Sequence, residues 1–150
     1  MNRSGSDASA AELRLTRQRE EECRVILDAV PTSIWYLDRG GQIQRVNAAA
    51  AKIMGRSLDE LIGKSLFDLF PHDQAVKALT DHREIIASGR PKIGIVEEFT
   101  TPIGRRWLRT DKMAHFGSHG TPVGVIAVSQ DITERKLAEE RLRNVTNNYA

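Results

Sequence analysis

The chain has 150 residues, a length that suits one domain with terminal extensions. Its 22 Lys and Arg nearly balance its 20 Asp and Glu, and the two signs are interleaved, which argues against a nucleic-acid-binding protein. No apolar run approaches the roughly 20 residues that span a bilayer, and no signal peptide opens the chain. The single cysteine, Cys23, excludes an internal disulfide. We therefore expect a cytoplasmic chain with no membrane segment of its own.

The N-terminal region is predicted to hold a disordered segment and a flanking helix. Residues 1–10 are small and polar, which predicts disorder, and Ser9-Ala-Ala-Glu12 fits a capping box that opens a helix over residues 11–30. The middle of this helix is polar, and its last part carries an apolar stripe. Such a helix is expected to project from the core and to meet a second copy of the chain. The stripe comprises Cys23, Ile26, Leu27 and Val30.

A β-hairpin and a capped helix are predicted next. Residues 33–38 and 42–46 have the composition of two strands joined by the turn Arg39-Gly40-Gly41. Asn47 is a good N-cap for a short helix over residues 48–54, and Gly55 suits the C-terminal end of that helix.

Further helices occupy the middle of the chain. Ser57-Leu-Asp-Glu60 is a second capping box, and residues 64–71 are expected to continue as short helical or irregular chain. The apolar spacing of residues 73–87 predicts a longer amphipathic helix. Its inward positions are predicted to be Val76, Leu79, His82 or Arg83, and Ile86.

Three strands and a final helix complete the chain. The strands are predicted over residues 93–100, 106–116 and 122–130, and the helix over residues 132–147. Two strands, a block of helices and three strands predict an α+β fold, a five-stranded antiparallel sheet with helices on one face. The core is expected over residues 31–131, with residues 132–150 as a C-terminal linker helix.

The junction between the last strand and the last helix has the sharpest local pattern. A β-branched strand runs directly into Asp131, whose carboxylate is predicted to cap the final helix. Glu134 can reach back to the Asp131 amide and complete a capping box that encloses Thr133. A movement of the buried strand is then expected to reach whatever the helix joins.

Six motifs, in this order, resemble the signatures of PAS domains over about residues 25–136. They are Ile43-Gln-Arg-Val-Asn47, Asn47-Ala-Ala-Ala-Ala-Lys-Ile-Met-Gly55, Ser57-Leu-Asp-Glu-Leu-Ile-Gly-Lys64, Asp68-Leu-Phe-Pro71, Ile85-Ile-Ala-Ser-Gly89-Arg-Pro91 and Asp131-Ile-Thr-Glu-Arg-Lys136. The resemblance implies a PAS fold and a cytosolic sensory and dimerisation module. Such modules commonly precede a histidine kinase of a two-component system, a diguanylate cyclase, a phosphodiesterase or another PAS repeat. A ligand-free protein-interaction scaffold is the alternative.

The resemblance also implies a ligand pocket between the sheet and the helices. Its lining is expected from Trp35, Leu37, Ile53, Phe70, Leu79, Ile86, Ile95, Phe99, Trp107, Met113, Val125 and Ala127. Asn47 and Ser129 are the polar candidates for orienting a small-molecule ligand. Two alternatives stay open: the apolar side chains form a plain core, and Asn47 serves only as a helix cap.

Flavin photochemistry of the LOV type is not expected. It needs a cysteine on the helix after Asn47, whereas Cys23 lies in the N-terminal helix, outside the pocket. Non-covalent flavin binding, with Trp35 and Trp107 packed on the ring, remains a minor alternative.

Haem is a second minor alternative. The register of haem-based oxygen-sensing PAS domains would place the axial ligand at Lys77 and the distal arginine at Glu97, and both departures count against haem. His82 could ligate only from a shifted register. No cofactor is therefore predicted.

No metal site and no catalytic activity are predicted. His115 and His119 are four residues apart, but a hairpin turn separates them, so they do not share a helical face. The chain has no nucleophile elbow, no phosphate-binding glycine loop and no phosphoacceptor segment of a kinase.

The C-terminal helix has the spacing of a coiled-coil seam. Its apolar residues are four, three and four positions apart, which favours dimerisation through Leu142 and Val145. A helix that packs back on its own sheet is the alternative. The seam positions are Ala138, Leu142, Val145 and Tyr149.

Overall fold

A computed structural model describes residues 3–149, and Met1, Asn2 and Ala150 lie outside the described residues. The elements run in the order α1 Arg3–Ala29, β1 Ser33–Asp38, β2 Ile43–Val46, α2 Ala48–Met54, α3 Leu58–Leu61, α4 Leu66–Leu69, α5 His72–Ser88, β3 Lys92–Thr101, β4 Gly104–Phe116, β5 Pro122–Asp131 and α6 Thr133–Asn148. Among these helices none is both long and apolar enough to cross a bilayer.

The five strands form one antiparallel sheet in the order β2-β1-β5-β4-β3. Because β1 and β5 are adjacent strands, the beginning and the end of the core pair directly with each other. The core lies between the sheet and the helices of the middle segment, and its most buried large side chains are Ile43, Met54, Leu61, Ile85 and Val125. The predicted α+β class and the five-stranded sheet with helices packed on it are confirmed.

Local signals position the helices of the middle segment. Asn47 accepts a hydrogen bond from the Ala50 amide at the start of α2, and Gly55 ends α2 in the left-handed conformation with φ of 60°. Ser57 accepts a hydrogen bond from the Glu60 amide and opens α3 in the same way.

The N-terminal helix is longer than predicted. It begins at Arg3 rather than near Ser9, so the expectation of disorder over residues 1–10 is wrong for residues 3–10. Alanines at positions 8, 10 and 11 favour helix, and no proline interrupts the chain before Pro31. All described side chains from Gly5 to Ile26 are exposed, so this part of α1 projects from the core.

The rotation of α5 on the sheet also differs from the prediction. Its buried residues are Ala75, Ala78, Leu79, His82 and Ile85. Val76, which was predicted to face inward, is 43% exposed, and Ile86 is only half-buried. The helical period was right, but the two alanines, rather than the larger Val76, face the sheet. Their small side chains let α5 approach the sheet closely.

Candidate functional site

A cavity of about 80 Å³, partly open to solvent, lies between the sheet and the helices α4 and α5. Most of its wall is apolar, with the rings of Trp35 and Phe70 6.4 Å apart and those of Phe70 and Phe99 5.4 Å apart. The apolar lining comprises Trp35, Leu37, Leu66, Phe70, Ala78, Ile95, Phe99, Leu108, Val125 and Ala127. The polar lining comprises Ser33, His82, Glu97, Thr110, Lys112 and Ser129.

The structure brings together only part of the predicted lining. Leu79 is buried in the core outside the cavity wall, and Ile53 and Ile86 are half-buried on α2 and α5 without lining the cavity. The predicted residues that do line it are Trp35, Leu37, Phe70, Ile95, Phe99, Val125, Ala127 and Ser129.

Trp107 and Met113 are absent from the cavity wall, because the inward face of β4 is the other one. Side chains alternate along a strand, so an error of one residue moves every side chain to the opposite face. The inward residues are Leu108, Thr110 and Lys112. Trp107 lies instead beneath the first turn of α6, with the Lys136 ammonium 5.3 Å from the centre of its ring.

Ser33, Thr110 and Lys112 line the cavity although they were not predicted to, whereas Ser129 was a predicted lining residue and His82 a predicted inward position. Ser33 shares a face of β1 with Trp35 and Leu37, so strand alternation could have found it. Thr110 and Ser129 join their hydroxyls at 2.8 Å across β4 and β5. His82 Nε2 donates to the Arg39 carbonyl at 3.2 Å.

The charged groups at the cavity have partners of opposite sign. Lys112 Nζ donates to Asp81 Oδ2 at 3.2 Å, and Lys92 Nζ donates to Asp81 Oδ1 at 2.9 Å. Burial by itself would raise the pKa of Asp81, but these two lysines outweigh it and hold the pKa below its ordinary value. Lys77 and Glu97, the two positions that counted against haem, form an ion pair of 3.2 Å between α5 and β3.

The cavity does not fit haem or flavin. A volume of about 80 Å³ is smaller than the roughly 150 Å³ of a cavity that holds benzene. His82, the alternative haem ligand, uses Nε2 for the Arg39 carbonyl. In the described part of the chain, no three His, Cys, Asp or Glu side chains converge in a way that could hold a metal ion.

Asn47 lies outside the cavity and joins α1 to the core. It is 1% exposed and accepts hydrogen bonds from the amides of Ile34 at 2.9 Å and Ala50 at 3.2 Å. Its amide group donates to the carbonyls of Leu27 at 2.9 Å and Thr32 at 2.8 Å. Beside it, Asp28 Oδ1 accepts from the Ala48 amide at 2.9 Å. We call Asn47 and Asp28, with these partners, the N-terminal junction.

Asp131 does not occupy the N-cap position predicted for it, although its carboxylate accepts from the first amide of α6 as expected. It is the last residue of β5, and Ile132 occupies the N-cap position without a side-chain hydrogen bond, while Glu134 is exposed in the first turn. Pairing with Leu108 keeps Asp131 in the sheet, where Arg106 Nε donates to its Oδ2 at 2.8 Å. Tertiary contact with the neighbouring strand therefore replaces the predicted capping box.

The other carboxylate oxygen of Asp131 holds the start of α6. Asp131 Oδ1 accepts from the Thr133 amide at 3.0 Å and from the Thr133 hydroxyl at 2.6 Å. The Thr133 hydroxyl accepts from the Trp107 amide at 2.9 Å. Burial would raise the pKa of Asp131, but the hydrogen bonds from Thr133 and Arg106 hold it below its ordinary value. We call Arg106, Asp131 and Thr133 the C-terminal junction.

The apolar residues predicted for dimerisation lie on the two flanking helices. Ile26, Leu142 and Val145 are 65%, 70% and 53% exposed, whereas Leu27 and Val30 are half-buried. All described side chains of α6 from Leu137 onward are exposed, so they do not pack on the sheet of the same chain.

Comparison with known proteins relates the chain to signalling proteins. It is 30% identical over 123 residues to the cyclic di-GMP phosphodiesterase PdeR of Escherichia coli strain K12, covering 81% of this chain and 19% of PdeR. It is 28% identical over 132 residues to the cell-division control histidine kinase PdhS of Brucella ovis, covering 83% of this chain and 12% of PdhS. The chain thus spans less than a fifth of the length of either relative.

Structure and sequence point to the same family. The fold is similar to that of the PAS domain of Bordetella pertussis BvgS, with a TM-score of 0.66 and 21% identity over 87% of this chain and 98% of that domain. The sequence profile of the PAS fold matches residues 27–137, most of the chain. The chain therefore belongs to the PAS-fold family.

Proposed function

We propose that the chain is a sensory module. A change in the cavity displaces the cavity wall and alters the start of α6, and α6 transmits this change to an output domain joined to it. The observation that carries the proposal is that β4 and β5 both contribute side chains to the cavity lining and both contribute to the C-terminal junction. Arg106 comes from β4, and Asp131 comes from β5. The hydroxyls of Thr110 and Ser129 are bonded to each other in the cavity wall, and Leu108 pairs with Asp131 two residues further along each strand, toward α6. A displacement of this wall is therefore carried directly to the groups that hold Thr133.

The kind of output domain is also a proposal. PdeR and PdhS are named as a cyclic di-GMP phosphodiesterase and a histidine kinase, and this chain matches only 19% and 12% of their lengths. We propose that the chain acts likewise as one part of such a protein, with α6 as the covalent connection. It makes no catalytic contribution in this proposal.

Dimerisation through the flanking helices is part of the proposal. Exposed apolar side chains on α6 recur with the spacing of a coiled-coil seam, and Ile26, Leu27 and Val30 add an apolar surface on α1. Leu142→Lys should shift sedimentation of the purified chain from dimer toward monomer, because a charge then lies in the seam. Asn144→Lys adds the same charge beside the seam and should leave the dimer intact. Equal sedimentation of the two variants would contradict this assembly.

A ligand-free scaffold is the competing function, and the small volume of the cavity favours it. In a sensory module a displacement of the cavity wall alters the start of α6, whereas in a scaffold it does not. Ala78 lines the cavity, whereas Ala87 is exposed on the same helix, so Ala78→Leu and Ala87→Leu add the same side chain to different environments.

Amide exchange across residues 133–137 decides between them. Ala78→Leu should press on the opposing wall and speed exchange in the first turn of α6 by about threefold or more, and Ala87→Leu should not. With Asp131→Asn already present, Ala78→Leu should add nothing further. Unchanged exchange in Ala78→Leu, with the larger side chain accommodated, would support the scaffold and contradict the relay.

A further inference from the structure

The hydroxyl of Ser33 is buried beside the cavity without a hydrogen-bond partner in the described part of the chain. Ser33 lines the cavity and is 2% exposed. Among the described residues, its Oγ is the buried side-chain oxygen or nitrogen that has no hydrogen-bond partner. Native proteins rarely leave such a group unpaired, because its desolvation is then uncompensated. A hydrogen-bonding atom that enters the cavity would relieve this cost.

The hydroxyls nearest to Ser33 along the sheet bond to each other and not to Ser33. Ser33 pairs directly with Ser129 on β5, and Ser129 pairs directly with Thr110 on β4, so three hydroxyls form a row across the sheet. Ser129 and Thr110 bond to each other at 2.8 Å. That bond leaves Ser33, at the end of the row, available to a molecule in the cavity.

The charges around the cavity indicate an uncharged molecule. Lys112 is paired with Asp81, and Glu97 is paired with Lys77. A charged ligand would have to compete with one of these pairs and lose its own hydration in a mostly apolar space. An uncharged one displaces nothing.

We infer that the cavity binds a small uncharged molecule with an apolar body and one hydroxyl or carbonyl group. Its polar group bonds to the Ser33 hydroxyl, and its body packs against Trp35, Phe70 and Phe99. A volume of about 80 Å³ has room for roughly three or four non-hydrogen atoms on the scale of benzene in a cavity of about 150 Å³. A longer body would extend toward the open side. This inference rests on the cavity of the proposed function and specifies the chemistry of its ligand.

Two probes of similar size test the role of the hydroxyl. 1-Propanol and 1-chloropropane differ in the group that can bond to Ser33, and both can be titrated into the labelled protein while amide shifts at the cavity are followed. 1-Propanol should bind about fivefold more tightly, the effect of one net hydrogen bond. In Ser33→Ala this preference should disappear, while binding of 1-chloropropane persists. Ser118→Ala, in an exposed turn, should keep the preference.

The same variant gives a second readout. Because the Ser33 hydroxyl is unpaired, Ser33→Ala should unfold in urea at the same concentration as the parent chain or a higher one. A clearly lower midpoint would mean that the hydroxyl is already satisfied, by a bound water for example, and would overturn the inference. Equal affinity for the two probes, a preference that survives Ser33→Ala, or saturation by neither probe would also overturn it. The relay is judged separately, from the exchange of α6 in Ala78→Leu.

Discussion

The two junctions hold the flanking helices by different chemistry. The N-terminal junction centres on Asn47, a neutral amide that is 1% exposed and bonds to five backbone groups. The C-terminal junction centres on Asp131, a half-buried carboxylate shared between Arg106 and Thr133. An amide both donates and accepts hydrogen bonds, so Asn47 can bond to backbone carbonyls and to backbone amides without a second side chain. A carboxylate only accepts, so Asp131 depends on a cation from the next strand.

This difference assigns different mechanical roles to the two ends. Breaking the N-terminal junction would take this partner from part-buried carbonyl groups and from the buried amide of Ala50, which is costly. Breaking the C-terminal junction releases a partly exposed ion pair, which costs much less. We therefore expect α1 to be held in one orientation and α6 to be the helix whose start can be loosened.

Asn47→Ala should have the larger effect. It removes the cap of α2 and takes this donor from the part-buried carbonyls of Leu27 and Thr32, so the free energy of unfolding should fall by about 3 kcal/mol. Urea unfolding followed by circular dichroism measures it. Asn144→Ala, on the exposed face of α6, controls for the loss of an asparagine and should change little. A loss below about 1 kcal/mol would show that Asn47 is a simple helix cap.

Asp131→Asn should have the smaller effect. Asparagine keeps an acceptor for Thr133 but loses the ion pair with Arg106, so the free energy of unfolding at pH 7 should fall by about 1 kcal/mol. Exchange of amides 133–137 should quicken while the sheet keeps its protection. Asp7→Asn, on exposed α1, is the matched control. A global loss of protection in the sheet would contradict the idea of a local, releasable junction.

The pH dependence of the Asp131→Asn effect sharpens the comparison. The pKa of Asp131 is lower in the folded chain than its ordinary value, so its contribution is complete above the unfolded value of about 3.9. That contribution is lost as the pH falls through the lower folded pKa. The deficit of Asp131→Asn should therefore shrink in urea titrations between pH 6 and pH 3. The deficit of Asn47→Ala should hold constant, because an amide does not titrate; a constant deficit in both variants would remove the distinction.

Much of the fold followed from patterns that act over a few residues. The strand over residues 33–38 and the helix over residues 48–54, with Asn47 as its N-cap and Gly55 at its end, were predicted with the bounds that the structure has. Capping and turn formation depend on neighbouring backbone groups, so the residues themselves carry the information. The motif order, in turn, indicated the PAS family.

The candidate site was less predictable because it depends on orientation. β4 offers apolar side chains on both faces, and the sequence did not reveal that Leu108 faces the helices while Trp107 faces α6. Likewise, the helical spacing of the apolar residues of α5 was clear from the sequence. Which of them faces the core, Ala78 rather than Val76, depends on how the helix packs on the sheet. Ser33 was overlooked because a serine at the start of a strand is a polar residue, although alternation with Trp35 and Leu37 placed it on the inward face.

The sequence by itself determined the order of the strands and of the longer helices, the caps of α2 and α3 and the family of the fold, because these depend largely on local sequence patterns. Tertiary structure decided which strand face lines the cavity, and it left the Ser33 hydroxyl unpaired beside the bonded Thr110 and Ser129. It also decided that Asp131 stays in β5 and shares its carboxylate between Arg106 and the first residue of α6. The reason is the same in each case: the deciding partner is far away in the chain, so only the assembled sheet brings the two groups within bonding distance.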